Sequence, residues 1–541
     1  MGHHQERESD NQVLNKLIDM KRIGLILFLL MLASSAYAQL VPFEVIRTAL
    51  DGKNVARVDN DIMITGYVIN SQGNSNLQHN PQHATRYTEV NLKAIRKVMY
   101  IESQDARYGF KLEFETPEDA KTLKRYALAT LKLNGTMVRK EDGGYVISGL
   151  TREHVMSQTE GTAETFPRKI KSISEVTSDD IFTYVTLTDC EFVFKDGAYV
   201  NVHELYTVKT EKNQHCRANG MMDGWGSLIY DKTGTPAYMM LNSSCLWRRD
   251  GKGVPQGSGT LSGIVTDTPN ARYYGEDVER ALQIRPMNRK DIAMSEPSCW
   301  DSICEWNWSD NVSTIRTLSG NLEKVTKEVV LADSGKGELS FEVEGSVTRR
   351  KEPNHPALDS KEKGQEDGVY AYGAINMSAA SCNWWDWKED RGLGLVLNFS
   401  TKGVKGKNLI LAFSFAAGNG KPDRSLGYPV YWCVEYSLDG INYKRVDDTE
   451  YVLNTLPYWR ENDVYGVSYP TSLECGLGFT EHIMNLPAEL FGQKEVYVRI
   501  IPSQKRAASM AFTDRDRVAM RPELDVLTNV SFGSVAVRYN R

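Results

Sequence analysis

Short runs that alternate apolar and polar residues, broken every few positions by Gly, Asn or Asp, limit the folds open to this chain more than any other feature. Ile62-Met63-Ile64-Thr65-Gly66-Tyr67-Val68-Ile69, Tyr108-Gly109-Phe110-Lys111-Leu112-Glu113-Phe114 and Phe182-Thr183-Tyr184-Val185-Thr186-Leu187 are examples. A period of two sends one set of side chains to a buried face and the other to a wet one, as in a strand. Turn residues at such close intervals mark an all-β protein. A 3.6-residue period is rare. The helical candidates are Val90–Val98, the short stretch Thr151–Ser157 and Pro117–Tyr126, where Thr116 can cap and Pro117 takes the first position.

The chain begins with a segment that does not fit this texture. Met20–Gln39 reads MKRIGLILFLLMLASSAYAQ: Lys21 and Arg22, an apolar run from Ile23 to Leu32, then Ala36-Tyr37-Ala38 as a small-x-small cleavage site. The run is short of the ~20 apolar residues that a spanning helix needs, so it reads as a signal peptide. Residues 1–38 are then an upstream extension and a leader, with Met20 the natural start. Gln39, not Cys, follows the cut, so nothing suggests a lipid anchor. The expected location is the periplasm, the cell surface or the medium.

Cleavage after Ala38 leaves about 500 residues, which at roughly 150 per domain predicts about three domains. The leader carries as many acidic as basic residues, so the net charge of −6 persists. A mildly acidic chain suits neither non-specific nucleic-acid binding nor an anionic membrane, both of which need clustered Lys and Arg. Lys121, Lys124, Arg125, Arg139 and Lys140 form only a modest basic tract, which reads as a solvated face. No second apolar run reaches spanning length.

Three polar stretches punctuate the chain: residues 158–178, Pro286–Ser298 and Arg349–Gly368. The first two read as boundaries. The third is long for a loop and reads as an exposed insertion in the last domain. Residues 41–158 and 178–292 echo each other loosely, each opening on a strand-like run and closing near a Gly-bearing one. The eight cysteines include a close pair, Cys299 and Cys304, the expected disulfide if the protein is exported. The competing reading is buried free thiols.

Residues 41–292 resemble a family of exported Bacteroidota proteins of unknown function, through Asp61–Asn70 (DIMITGYVIN), Val98–Leu112 (VMYIESQDARYGFKL), Val185–Phe192 (VTLTDCEF), Ser227–Tyr238 (SLIYDKTGTPAY), Pro255–Val265 (PQGSGTLSGIV) and Gln283–Asp291 (QIRPMNRKD). Ala84–Lys97 looks like added sequence against that pattern. The resemblance implies two OB-like β-barrels, over 41–158 and 178–292, and no activity. Residues 296–541 look like a jelly-roll β-sandwich of the kind appended to secreted Gram-negative proteins. There Val434–Tyr443 reads as two strands about an Asp-Gly turn, and Glu495–Ile501 and Val530–Val537 as core strands.

Catalytic motifs are missing from the sequence: no GxSxG elbow, HExxH, P-loop or Rossmann fingerprint. Gly251-Lys252-Gly253 is a turn. His203, His215 and His482 are the only histidines past the leader near other reactive residue types, and Glu481-His482 near Cys475 imitates a Cys–His pair only in sequence. The Trp clusters stand out instead. Trp384, Trp385 and Trp387 lie with Asn383 and Asp386, and Trp300, Trp306 and Trp308 lie beside the cysteine pair. Rings that stack on sugar C–H groups, beside Asp386 and Asn383 to take hydroxyls, would bind a glycan. The alternatives are that the rings fill the sandwich core or seal a domain junction. Asp59-Asn60-Asp61 and Asp447-Asp448 offer oxygens for a structural calcium ion, without an EF-hand loop, and read as turn carboxylates. The expected function is therefore a non-enzymatic envelope or secreted binding protein, for polysaccharide or glycoprotein. The alternatives are a protein-binding adhesion or assembly component, and an extracellular hydrolase with unidentified carboxylates.

Overall fold

The computed structural model describes residues 38–50, 52–73, 76–77, 92–141, 143–195, 199, 216–217, 227–241, 245, 247, 252–269, 280–307, 318–319, 329–350, 376–417, 427–429, 431–452, 459–462, 467–470, 480–505, 507–509, 519–521 and 528–541. All but the last residue of the expected leader lies outside them, as do 351–368 of the expected insertion. Arg349 and Arg350 end a strand, Glu344–Arg350, that pairs with Asn376–Asn383. The fold is all-β, as the alternation requires. Among the described residues no helix is long and apolar enough to cross a membrane.

The first sheet is built on β1 (Ile62–Val68), β2 (Val98–Ser103), β3 (Gly109–Phe114), β4 (Leu128–Lys132) and β5 (Gly144–Leu150). β1 shows strict alternation of buried and half-buried side chains, the period read from its sequence. It pairs antiparallel with β2 and β4, β2 pairs with β3, and β3 runs parallel to β5. Between β3 and β4 lies α1 (Pro117–Ala120), where Thr116 Oγ1 accepts from Asp119 N at 3.1 Å and Pro117 opens the turn. It is shorter than the stretch read from sequence. Among the described residues of Val90–Val98, which are 92–98, Leu92–Ile95 is helical and Val98 already starts β2: its burial in the sheet outweighs local propensity.

The second sheet closes on itself. Its strands are β6 (Tyr184–Phe192), β7 (Ser227–Tyr230), β8 (Pro236–Met239), β9 (Ser258–Pro269) and β10 (Arg280–Arg285). The pairings β6·β7, β7·β8, β8·β10, β10·β9 and β9·β6 form a complete ring, with β8·β10 its parallel step. The parallel β3·β5 pair holds the matching place in the first sheet, which gives the sequence echo a structural counterpart. Val185, Leu187, Phe192, Ile229, Met239, Leu261 and Ile284 fill the ring.

The remainder is a sandwich. One sheet includes β11 (Trp300–Trp306), β13 (Asn376–Asn383), β15 (Asn408–Ala417), β17 (Thr480–Leu486) and β19 (Thr528–Asn540). The other includes β12 (Gly337–Glu342), β14 (Gly394–Phe399), β16 (Tyr431–Ser437) and β18 (Val496–Pro502). Trp306, Trp384, Trp432, Phe341, Phe413 and Phe532 lie in the core between them. The indole N–H groups stay satisfied there, Trp306 Nε1 donating to Val330 O at 3.0 Å and Trp432 Nε1 to Pro429 O at 3.1 Å. The Asp-Gly turn follows β16. Gly440 sits at φ +72°, and Asp439 Oδ1 accepts from the backbone of Ile441 and Asn442, which holds its carboxyl below the usual range.

Buried polar contacts join the three parts. Phe182, at φ +67°, packs so tightly on Gly109 that a Cβ there would meet Phe182 O at 2.0 Å. Beside it Glu102 Oε2 accepts from Tyr184 N at 2.8 Å. On the other side of the ring, Trp300 stacks on Tyr230 with centroids 5.2 Å apart and donates to Asp231 O. Arg538 on β19 donates to Glu305 at 2.6 Å, to Tyr230 Oη and to Val193 O. Glu481 Oε2 accepts from Leu228 N at 2.7 Å.

Candidate ligand-binding corner

The cluster Asn383–Trp387 divides between core and surface. Trp384 is 1% exposed and meets Trp432 edge to face, centroids 5.5 Å apart. It has no face to offer a ligand, which corrects its place in the expected aromatic platform. Asn383 is buried too, and its Oδ1 accepts from Trp385 N at 3.1 Å. Of the three indoles Trp384 alone belongs to the cluster between the two sheets; Trp385 is buried at the turn that follows, and Trp387 is exposed beyond it.

Trp385 and Asp386 pair with Gly392 and Arg391 in a two-residue ladder that closes a tight turn at the sandwich edge. Trp385 is 6% exposed and Trp387 44%. Asp390, at φ +51°, accepts from Trp385 Nε1 at 3.1 Å. Lys505, just past β18, reaches the same carboxylate at 2.5 Å. The ammonium lies 5.6 Å from the Trp385 ring centroid and 5.2 Å from that of Trp387. Its donated hydrogen bond, followed by that of Trp385, holds the Asp390 carboxyl below the usual range. Asp386 turns inward to its own loop, accepting from the backbone N–H of Lys388 and Glu389 at 3.0 Å. The corner thus presents one exposed indole beside a fixed cation–carboxylate pair.

Lys505 and Asp390 were not legible as site residues. They come together only because β18 ends beside the turn, and nothing in the sequence marks a lysine 118 positions beyond Trp387 as its neighbour.

Other candidates fall elsewhere. Cys299 and Cys304 are free thiols, so the expected disulfide is not formed. Cys304 lies four residues into the extended strand that starts at Trp300, roughly 13 Å along it, and Cys299 precedes that strand; a bridge needs under ~7 Å. Cys304 lies in the sandwich core, where burial raises its thiol pKa, and Cys299 is half-buried at the junction with the ring. Trp300 seals that junction, Trp306 is core, and Trp308 lies outside the described residues. Asp61 pairs with Lys132 at 2.7 Å and Asp59 with Arg57 at 3.1 Å. Asp447 accepts from Thr449 N. Among the described residues no group of three acidic, His or Cys side chains is placed to hold a metal. His482 packs among Phe413, Phe415 and Tyr451, while Cys475, His203 and His215 lie outside the described residues. In the basic tract Arg139 is tied to Glu113 and Glu141, and Lys124 to Glu160.

No family model matches the chain, and no curated protein is significantly similar to it. Solved structures show partial likeness. The K1 cleaved adhesin domain of Lys-gingipain from Porphyromonas gingivalis matches at 12% identity, over 42% of this chain and 100% of that one, with a TM-score of 0.18. The K3 adhesin domain of the same protein matches at 15% identity over 31% and 77%, TM-score 0.16. A carbohydrate-binding module described for specific mannan recognition matches at 9% identity over 45% and 99%, TM-score 0.20.

Proposed function

We propose that this chain is an exported, non-enzymatic binding protein whose ligand is a polysaccharide or a glycoprotein glycan, held at the sandwich corner. The observation that carries this is Trp387, an indole 44% exposed on the turn closed by the Trp385–Gly392 ladder, with Lys505 of the Lys505–Asp390 pair beside it. Exposed indoles supply stacking area, and a paired ammonium and carboxylate supply fixed polar neighbours. In the same reading the first two parts, 41–158 and 178–292, are OB-type barrels and 296–541 a jelly roll. The ring order β6-β7-β8-β10-β9 supports the first assignment.

The test is glycan-array binding by the mature chain and by Trp387→Ala. Retention that vanishes in the variant, at an unchanged melting temperature, is expected. Equal retention would remove the corner from the reading. A second reading, a protein-binding adhesion component, is favoured by one feature: Ile441 is 81% and Leu438 44% exposed at the turn after β16. Binding to surface proteins that is lost on Ile441→Ser but kept on Trp387→Ala would favour it.

A further inference from the structure

The corner continues onto the outer face of the sheet formed by β12, β14, β16 and β18. Arg391, opposite Asp386 in the turn ladder, lies 3.7 Å from Glu342 at the end of β12. Leu339 and Phe341 of that strand enter the core, so Glu342 points outward. On the same outer face Arg499 bridges to Glu435, directly across from it on the neighbouring strand. Tyr443, from the turn after β16, covers this bridge with its ring centroid 4.0 Å from the guanidinium. Burial raises its phenol to about 12. Glu342 and the Arg499–Glu435 pair lie on the same outer face, and Arg391 ties the turn to Glu342, so the corner and the covered bridge share one face.

Charge decides what such a surface attracts. Its three principal cations, Lys505, Arg391 and Arg499, are each matched to a carboxylate: Asp390, Glu342 and Glu435. The turn itself adds Asp386, Glu389 and Lys388, two acids to one base. Arg445, opposite Glu435 on the next strand, brings the bases to the same number as these acids, so among these described residues no surplus positive charge is left to attract a sulfate or uronate. Paired guanidinium and carboxylate groups instead offer a donor and an acceptor side by side, which suits a hydroxyl that both donates and accepts.

Resting on the glycan reading above, we propose that this surface takes an extended, uncharged glycan, running from Trp387 past the Arg391–Glu342 pair to Tyr443. Affinity gel electrophoresis of the mature chain tests it, with mannan, hydroxyethyl cellulose and arabinan as neutral probes and alginate and chondroitin sulfate as anionic ones. At least one neutral polymer should retard the protein, with less than twofold change on raising NaCl from 0.05 to 0.5 M. Trp387→Ala and Tyr443→Ala should each weaken that retention at least tenfold, with melting temperatures checked in parallel. Glu342→Gln, which releases Arg391, should gain retention by alginate, and reads the same surface if Tyr443→Ala does not fold. Salt-sensitive retention by anionic polymers alone, lost in Trp387→Ala, would overturn this inference and leave the glycan reading standing. Loss in Trp387→Ala with none in a folded Tyr443→Ala would confine the site to the corner. No retention by any polymer would overturn both.

Discussion

Glu102 allows a quantitative test of how the first sheet is joined to the ring. The carboxyl is fully buried; one oxygen accepts from Tyr184 N and the other, Oε1, has no hydrogen-bond partner among the described residues. Burial pushes its pKa from 4.5 up to about 8, against the opposing pull of the Tyr184 N–H and Lys169, while Asp105 adds to the rise. Between those two values the folded protein holds a proton that the unfolded chain has lost. Stability therefore falls as pH rises from about 4.5 to about 8, and levels off above. The difference, at about 1.36 kcal/mol per pH unit, comes to about 5 kcal/mol, roughly half of it between pH 6 and pH 9. Glu102→Gln keeps an acceptor for Tyr184 N–H and cannot ionise. Guanidinium denaturation of both proteins at pH 6, 7, 8 and 9 is the assay. Over that range the parent protein should lose about 2 to 3 kcal/mol more than the variant. Equal losses would refute the reasoning, since they would mean that Glu102 is solvated or charged in the folded state.

Trp384→Ala should destabilise the sandwich by about 3 to 5 kcal/mol, whereas Trp387→Ala should stay within about 0.5 kcal/mol of the parent in the same melt. Arg538→Ala opens a void at a buried position and leaves the half-buried Glu305, Tyr230 Oη and Val193 O without their donor, and should cost about 3 to 5 kcal/mol in denaturant, with Arg538→Met milder because it fills the void. Native protein should react slowly with a thiol reagent at pH 8 through Cys190, Cys304 and Cys433, whose pKa values burial raises, and quickly once unfolded. In the unfolded, unreduced protein Cys299 and Cys304 should both alkylate; a mass two hydrogens short on their shared peptide would contradict the free-thiol state.

The all-β character was legible because strands such as β1 bury one face, and one-sided burial writes a period of two into the sequence. The capped turn at Thr116-Pro117 was legible because capping is local chemistry. Phe182 was read as the start of a strand, yet it adopts a left-handed backbone to pack on Gly109, and strand β6 begins at Tyr184. That conformation is imposed by another part of the chain and leaves no local trace. The Trp cluster drew notice by composition, but composition could not say which ring faces inward. That needed the ladder Trp385↔Gly392, and with it the approach of Lys505. The cysteine pair failed for a similar reason: closeness in sequence along an extended strand is distance in space.

Strand β19 pairs with β11, β13 and β15, and its register puts Asn540 opposite both Trp300 and Asn408. The ladder with β11 therefore joins partners 229 to 240 positions apart. Closing so wide a loop precedes any reward from the contacts it makes, so this ladder should form late and set the pace of refolding. Until it does, the apolar edges of β11 and β15 stay open to other chains, and crowding during refolding should favour aggregation through those two edges over the native closure.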